Sequence, residues 1–148
     1  MRRARDKLTA MKRFLVVVLA ILTPMTCGLA NLGDHSEKIE DSYGSIVERR
    51  LRDDGTVSVL YHKDRYLYLV IFANDRSVSE TYFHVKGTDL SGKEITKFLK
   101  ANSAGATWIP GNTANQRRFR RSDGKAEATC GNVNDRPALR VRELSAKP

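Results

Sequence analysis

The residue types that could do chemistry are few, and their spacing decides what they could do. The chain has three histidines, His35, His62 and His84. His62 and His84 each close a run of alternating apolar residues, so an antiparallel sheet could bring them together, with Glu80 or Asp64 nearby. Two imidazoles and a carboxylate can hold a divalent metal such as zinc, and metal-bound water is a hydrolytic nucleophile. His62, His84 and Glu80 are therefore the candidate metal set. A small hydrolase or metal-dependent enzyme of unknown substrate is the alternative they support. Strand-end histidines are ordinarily just solvated, so no metal and no other cofactor is assigned.

The search for a nucleophile assigns no catalytic residue. Cys130 has no histidine near it in sequence, and no serine sits in a G-x-S-x-G elbow. No glycine-rich phosphate loop of either common form is present. The paired carboxylates Asp53 and Asp54 precede Gly55, where aspartate serves a turn.

The basic run Arg117-Arg118-Phe119-Arg120-Arg121 is the most conspicuous local feature. On a strand, Arg118 and Arg120 share one face, and Arg117, Phe119 and Arg121 share the other. Phe119 then points inward between arginines whose stems cover apolar surface. Arg117, Arg118, Arg120 and Arg121 are the candidate surface for an anionic partner, a phosphate or lipid headgroup for example. Trp108, the only tryptophan, either caps the edge of the core or belongs to a binding surface; it is the candidate binding aromatic.

These residues must be positioned by elements, and the elements are legible from periodicity and punctuation. Asp34 with Glu37 has the form of a capping box, Ile39 and Tyr43 are an i, i+4 pair, and Gly44 stands where a helix would end. The spacing predicts a short helix over 35–43. An extended stretch follows from Ile46 to Leu51, then an Asp-Asp-Gly turn. Three strands are predicted at 57–62, 66–72 and 78–85, joined by turns at 63–65 and 74–75 as an antiparallel meander. The 66–72 run is apolar on both faces, which predicts a central strand covered on both sides, or by helix on one and aromatic rings on the other. Ser91 and Glu94 make a second capping box, and Ile95, Phe98 and Leu99 form the buried stripe of a helix over 91–101. A short extended segment at 107–109, strands at 117–121 and 125–130, a loop through 134–137 and a last strand at 138–143 complete the chain. Arg49 to Gly55 faintly echoes Arg117 to Gly124, which would fit a duplicated unit of one helix and several strands.

The first thirty residues have a different character. Arg2, Arg3, Arg5, Lys7, Lys12 and Arg13 precede the uncharged Phe14–Leu22, and Gly28 and Ala30 stand at positions −3 and −1 of a cut after Ala30. This is the form of a secretory signal peptide. Phe14 to Ala30 falls short of the roughly 20 apolar residues of a spanning helix, so an uncleaved membrane anchor is the lesser alternative. The residues before Cys27 fit a lipidation signal badly. The expected organisation is a signal over 1–30, with Met11 as a possible true start, and one α+β domain over 31–148.

The whole chain carries 26 basic and 17 acidic residues, a net +9. Beyond the signal the counts are 20 and 16, a net +4. Residues 31–75 are net −3 and residues 76–148 net +7, so an anionic partner would meet the second half, unless the two halves simply attract each other. Cys130 is the single cysteine beyond the signal, which leaves no internal disulfide; it is free or bonded to another chain.

The order of these features resembles a set of short exported proteins of environmental bacteria. The resemblance rests on Ser42-Tyr43-Gly44, the run from Tyr66 to Glu80, the capped segment 90–102, Trp108 and the turn 120–126. That set has no established activity, so no site residue comes with it. The helix-then-meander order is also distantly similar to small lipoproteins of outer-membrane assembly and to β-lactamase-inhibitor-like domains, as a matter of fold alone.

The expected fold is a two-layer α+β domain, an antiparallel meander sheet of about six or seven strands with two short helices on one face. The expected function is a non-catalytic binding module, periplasmic or secreted. Its partner would be another envelope protein or an anionic surface. Nucleic acid is not expected as a partner, and a membrane would be met only through an uncleaved signal. N-terminal sequencing should find a precursor beginning at Met11 and a mature chain beginning at Asn31; a precursor beginning at Met1 removes the internal start.

Overall fold

The computed structural model describes residues 31–111 and 116–144. The expected signal segment, its cut after Ala30 and the start at Met11 lie outside the described residues. The elements run α1 (Ser36–Tyr43), β1 (Ser45–Leu51), β2 (Val57–Lys63), β3 (Tyr66–Ala73), β4 (Arg76–His84), α2 (Gly92–Ala101), β5 (Trp108–Pro110), β6 (Arg118–Arg121), β7 (Ala126–Val133) and β8 (Arg136–Glu143).

All eight strands join one antiparallel sheet in the order β1-β2-β3-β4-β8-β7-β6-β5. The expected six or seven strands were too few. The two short or irregular stretches, 45–51 and 108–110, are both strands, one at each edge of the sheet. Every residue of β1 is exposed and β5 is three residues long, so neither carries the apolar alternation that marks a buried strand. Backbone pairing holds them, β1 to β2 and β5 to β6.

The order also corrects the single meander. There are two meanders, β1–β4 and β5–β8, each preceded by its own helix and joined by their last strands. Ser79 to Phe83 of β4 pairs with Arg142 to Ala138 of β8. The halves correspond as β1 to β5 through β4 to β8. The echo between residues 49–55 and 117–124 does not follow this correspondence, because it matches the β1–β2 turn to the β6–β7 turn. The correspondence shows instead in Asn74-Asp75-Arg76 and Asn134-Asp135-Arg136, which turn the β3–β4 and β7–β8 hairpins. Both central residues of each turn have positive φ, 49° and 62° in one, 51° and 61° in the other. Asn and Asp tolerate that conformation best among non-glycine residues, and the resulting twist matches the strands. The expected loop over 134–137 is thus a two-residue turn, and β8 begins at Arg136. Pro137 is tolerated there because β4 pairs with β8 only from Ala138 onward.

Both helices pack on one face. Tyr43 of α1 stacks on Tyr68 at 4.2 Å between ring centroids, and Phe98 of α2 stacks on Tyr82 at 4.2 Å. Beneath them lie Val59, Tyr61, Val70, Phe72, Leu139 and Val141. The Ser91–Glu94 capping box is fully formed. The one expected at Asp34 is not: the N-cap residue is His35, without a side-chain cap. Asp34 instead accepts the Asn31 N–H and pairs with Lys38 at 2.8 Å. Gly44 ends α1 at φ 81°, and a Cβ there would stand 2.9 Å from the His62 carbonyl oxygen.

A carboxylate lies inside this core. Glu80 is fully buried. It accepts hydrogen bonds from the Tyr43 hydroxyl (2.6 Å), the Tyr82 hydroxyl (2.6 Å) and the Ser77 hydroxyl (3.0 Å). The Asn102 amide donates to the Tyr82 oxygen at 2.7 Å. Burial pushes both phenols well above their ordinary pKa, so each stays a donor. Burial also raises the Glu80 pKa, against the three hydrogen bonds that oppose it. A raised carboxyl pKa contributes stability that is complete below the unfolded-state pKa and lost as pH rises through the folded-state value.

Glu80→Ala would remove the shared acceptor of three buried hydroxyls, at up to about 1–3 kcal/mol each; urea unfolding should show a loss of several kcal/mol for Ala and clearly less for Glu80→Gln. The stability of the wild type relative to Glu80→Gln should decline as pH rises above the ordinary carboxyl range.

Candidate functional site

The period of two that buries one side of each central strand delivers the other side to the opposite face. In β3, Tyr66, Tyr68, Val70 and Phe72 lie under the helices, while Leu67, Leu69 and Ile71 face away and are half-buried. Cover on both faces was expected for this run; among the described residues no helix lies on the second face. Leu60 of β2 and Phe83 of β4 share that face through the register Leu60↔Leu69 and Leu67↔Phe83. These five residues form an aliphatic and aromatic floor.

Arginines stand on both sides of the floor. Arg50 and Arg52 come from β1 and its end, and Arg136 and Arg140 from β8. Together with Glu48 and the floor they line a groove of about 620 Å³. A smaller groove of about 240 Å³ adjoins it, lined by Arg118, Arg140, Arg142 and Glu127 among others. Arg120 lies on the same face, opposite Glu127 in the ladder. Some of this charge is neutralised locally: Arg50 by Glu48, Arg142 by Glu127, and Arg52 by Asp54 at 3.7 Å. Arg118, Arg120, Arg136 and Arg140 form no ion pair among the described residues. The Arg118 Nε donates to the Gln116 amide oxygen at 3.1 Å.

The basic run therefore divides. Arg118 and Arg120 belong to this open face. Arg121 turns under the other side, only 8% exposed; its Nε contacts both Asp123 oxygens at 3.0 Å and its Nη1 donates to the Asn102 carbonyl at 3.1 Å. It is a buried tie between β6 and the end of α2. Arg117 lies over the Phe119 ring, 5.8 Å from its centroid. Trp108 donates its indole N–H to the Leu99 carbonyl at 2.6 Å and packs against the core, on the helix side of the sheet.

The candidate metal set does not assemble. His62 shares its face with the floor, whereas His84, opposite Tyr66, lies on the helix side. One ion at about 2.1 Å from each nitrogen cannot join residues on opposite faces of a sheet. His62 Nε2 is 3.0 Å from the Asp64 carbonyl oxygen, His84 Nε2 is 3.0 Å from Glu94, and Glu80 is held by its hydroxyls. Among the described residues no cluster of three or more potential metal ligands occurs. Cys130 lies within β7, half-buried against the core and not at a strand end, and burial raises its thiol pKa.

Sequence reasoning missed the arginines of β1 and β8. Their signal was present: Arg136, Arg140 and Arg142 keep the parity of one strand face. Placing residues 134–137 in a loop hid the first of them.

Glu94 shows what a surface carboxylate gains from its neighbours. The Tyr66 hydroxyl donates to it at 2.7 Å, and the Ser91 backbone N–H and hydroxyl donate at 2.8 and 2.7 Å. These bonds, Tyr66's first, hold its pKa down to about 2.

No protein-family model matches the chain, and no curated protein matches it. Among solved structures, the chain is similar to a cysteine-rich secretory protein from Staphylococcus aureus, with a TM-score of 0.44 and 12% identity. The match covers 75% of this chain and 44% of that one, so this chain spans less than half the length of that protein. A likeness at that level transfers neither fold nor activity. No helix among the described residues is long and apolar enough to cross a membrane.

The lowered pKa of Glu94 contributes stability present above the ordinary carboxyl pKa and lost as pH falls from about 4.5 toward 2. Acid titration of wild type and Glu94→Gln by circular dichroism should show the variant without this part of the acid loss; superimposable acid limbs would remove the assignment.

Proposed function

We propose that this chain is an exported, non-catalytic binding module that meets an anionic partner through the open face of its sheet. The observation that carries the proposal is the set of Arg118, Arg120, Arg136 and Arg140, none of them ion-paired among the described residues, on the same face as an uncovered aliphatic floor. Unneutralised arginines around half-buried apolar side chains are arranged for recognition. Guanidinium groups take carboxylate or phosphate oxygens in pairs, and the apolar floor supplies area. Such a field also steers an anionic partner toward the face and weakens with salt.

The binding surface proposed is broader than the Arg117–Arg121 run, and shifted from it. Arg121 is withdrawn into a structural contact and Trp108 into the core edge, while β8 and β1 contribute in their place. The side chains lining the face supply cations and hydrocarbon, and its two glutamates, Glu48 and Glu127, are taken up in ion pairs. Export rests on the basic, apolar and small-residue order of 1–30. The partner is another envelope protein or an anionic surface.

Affinity capture from the cell envelope, with wild type beside an Arg118→Glu, Arg140→Glu variant, tests this. The double reversal should lose the captured partner, with at least tenfold weaker retention, and wild-type retention should fall as salt rises. Equal retention by both proteins, insensitive to salt, overturns the proposal.

A further inference from the structure

We infer that the occupant of the larger groove is an amphipathic helix of another protein, its aliphatic stripe flanked by acidic residues on the side that meets β8. The inference rests on the anionic-partner reading and specifies the partner's form.

The dimensions come first. Strands β1 and β8 are four steps apart in the sheet, and each step is about 4.8 Å. The strands carrying Arg50 and Arg52 on one side and Arg136 and Arg140 on the other are therefore roughly 19 Å apart. An α-helix with its side chains is about 10–12 Å across. One helix fits between the two walls, with a few ångströms on each side for the arginine side chains.

The chemistry follows. The floor of Leu60, Leu67, Leu69, Ile71 and Phe83 lies across three adjacent strands, which suits the apolar stripe of a helix. The β8 wall carries Arg136 and Arg140 without ion pairs among the described residues, whereas Arg50 and Arg52 on the β1 side are paired with Glu48 and Asp54, so the complementary helix is acidic on the flank that meets β8. An added strand would not use this surface, since strands join a sheet at its edge through backbone bonds. The helix face of the same sheet shows the arrangement in use: α1 and α2 lie there on alternating side chains of β2, β3 and β4.

The test uses three synthetic peptides and one vesicle. The first peptide is a helix of about 18 residues with leucines at i, i+3, i+4 and i+7 spacing and glutamates along one flank. The second replaces the glutamates with lysines, and the third is the first with its two central residues replaced by proline. The vesicle is phosphatidylglycerol. Binding is read by fluorescence anisotropy and by amide shifts in the NMR spectrum of the protein.

The acidic helix should bind and shift the amides of Leu67 to Ile71. The lysine and proline peptides should bind at least tenfold more weakly. Leu69→Glu, and separately Arg140→Glu, each confirmed folded by far-UV circular dichroism, should weaken the acidic helix at least tenfold. Equal binding of the proline peptide, or shifts confined to residues outside the groove, overturns the helix. Vesicle binding lost on Arg140→Glu, with no binding of the acidic peptide, also overturns the helix but leaves the anionic-partner reading standing. No binding of peptide or vesicle, together with envelope capture insensitive to charge reversal, overturns both.

Discussion

A single buried carboxylate organises this protein. Glu80 has no exposed surface, and an ionisable group in that position is tolerable only if its oxygens are satisfied. Tyr43 of α1 and Tyr82 and Ser77 of β4 satisfy them. Asn102, at the end of α2, continues the network in three directions. Its side-chain amide donates to Tyr82, its side-chain oxygen accepts the Leu32 N–H at 2.7 Å, and its backbone carbonyl accepts from Arg121. The network joins the segment before α1, both helices, β4 and β6. Hydrophobic contacts alone would let the helices slide over the sheet, since apolar packing is not directional. A polar network in a low-dielectric core has few satisfied arrangements. Among the described residues no buried side-chain polar atom lacks a partner.

This arrangement spends the two helices on one side of the sheet. The second side keeps its leucines and isoleucine without a covering layer, and the arginines of β1, β6 and β8 gather around them. The two faces thus differ in kind. One is aromatic, closed and organised around a buried carboxyl group; the other is aliphatic, open and positive. Of the basic residues in the second half of the chain, Arg118, Arg120, Arg136, Arg140 and Arg142 stand on the open face.

The parts of this that were legible in the sequence are those with local causes. The Ser91–Glu94 box, the glycine after Tyr43, the turns at 64–65 and 74–75, and the alternation that turns Phe119 inward all depend on neighbours within a few residues. What escaped had causes elsewhere in the chain. β1 and β5 are strands because β2 and β6 offer them backbone partners, and no side-chain pattern announces that. Arg121 looked like its neighbours, yet it is buried because the carbonyl of Asn102, nineteen residues earlier, needs a donor. Glu80 stood in the sequence as a possible metal ligand. Its burial between two tyrosines follows from the register of β4, and its own residue type predicts the opposite. The unity of the open face, assembled from β1, β6 and β8, required the strand order, which no local signal contains.

The seam between β4 and β8 has a kinetic consequence. Six of the seven strand pairings join consecutive strands, so each closes only a short stretch of chain. The seam alone joins strands separated by a whole helix and three further strands. Closing such a loop costs more chain entropy than any single hairpin and returns nothing until it is complete. The first meander carries both helices, since Phe98 of α2 packs on Tyr66, Tyr68 and Tyr82, and the β5–β8 meander is zipped onto it from Ser79 to Phe83. Glu80 lies in that stretch, opposite Val141. Its carboxyl group therefore stands on the one stretch of chain where the two halves become a single sheet.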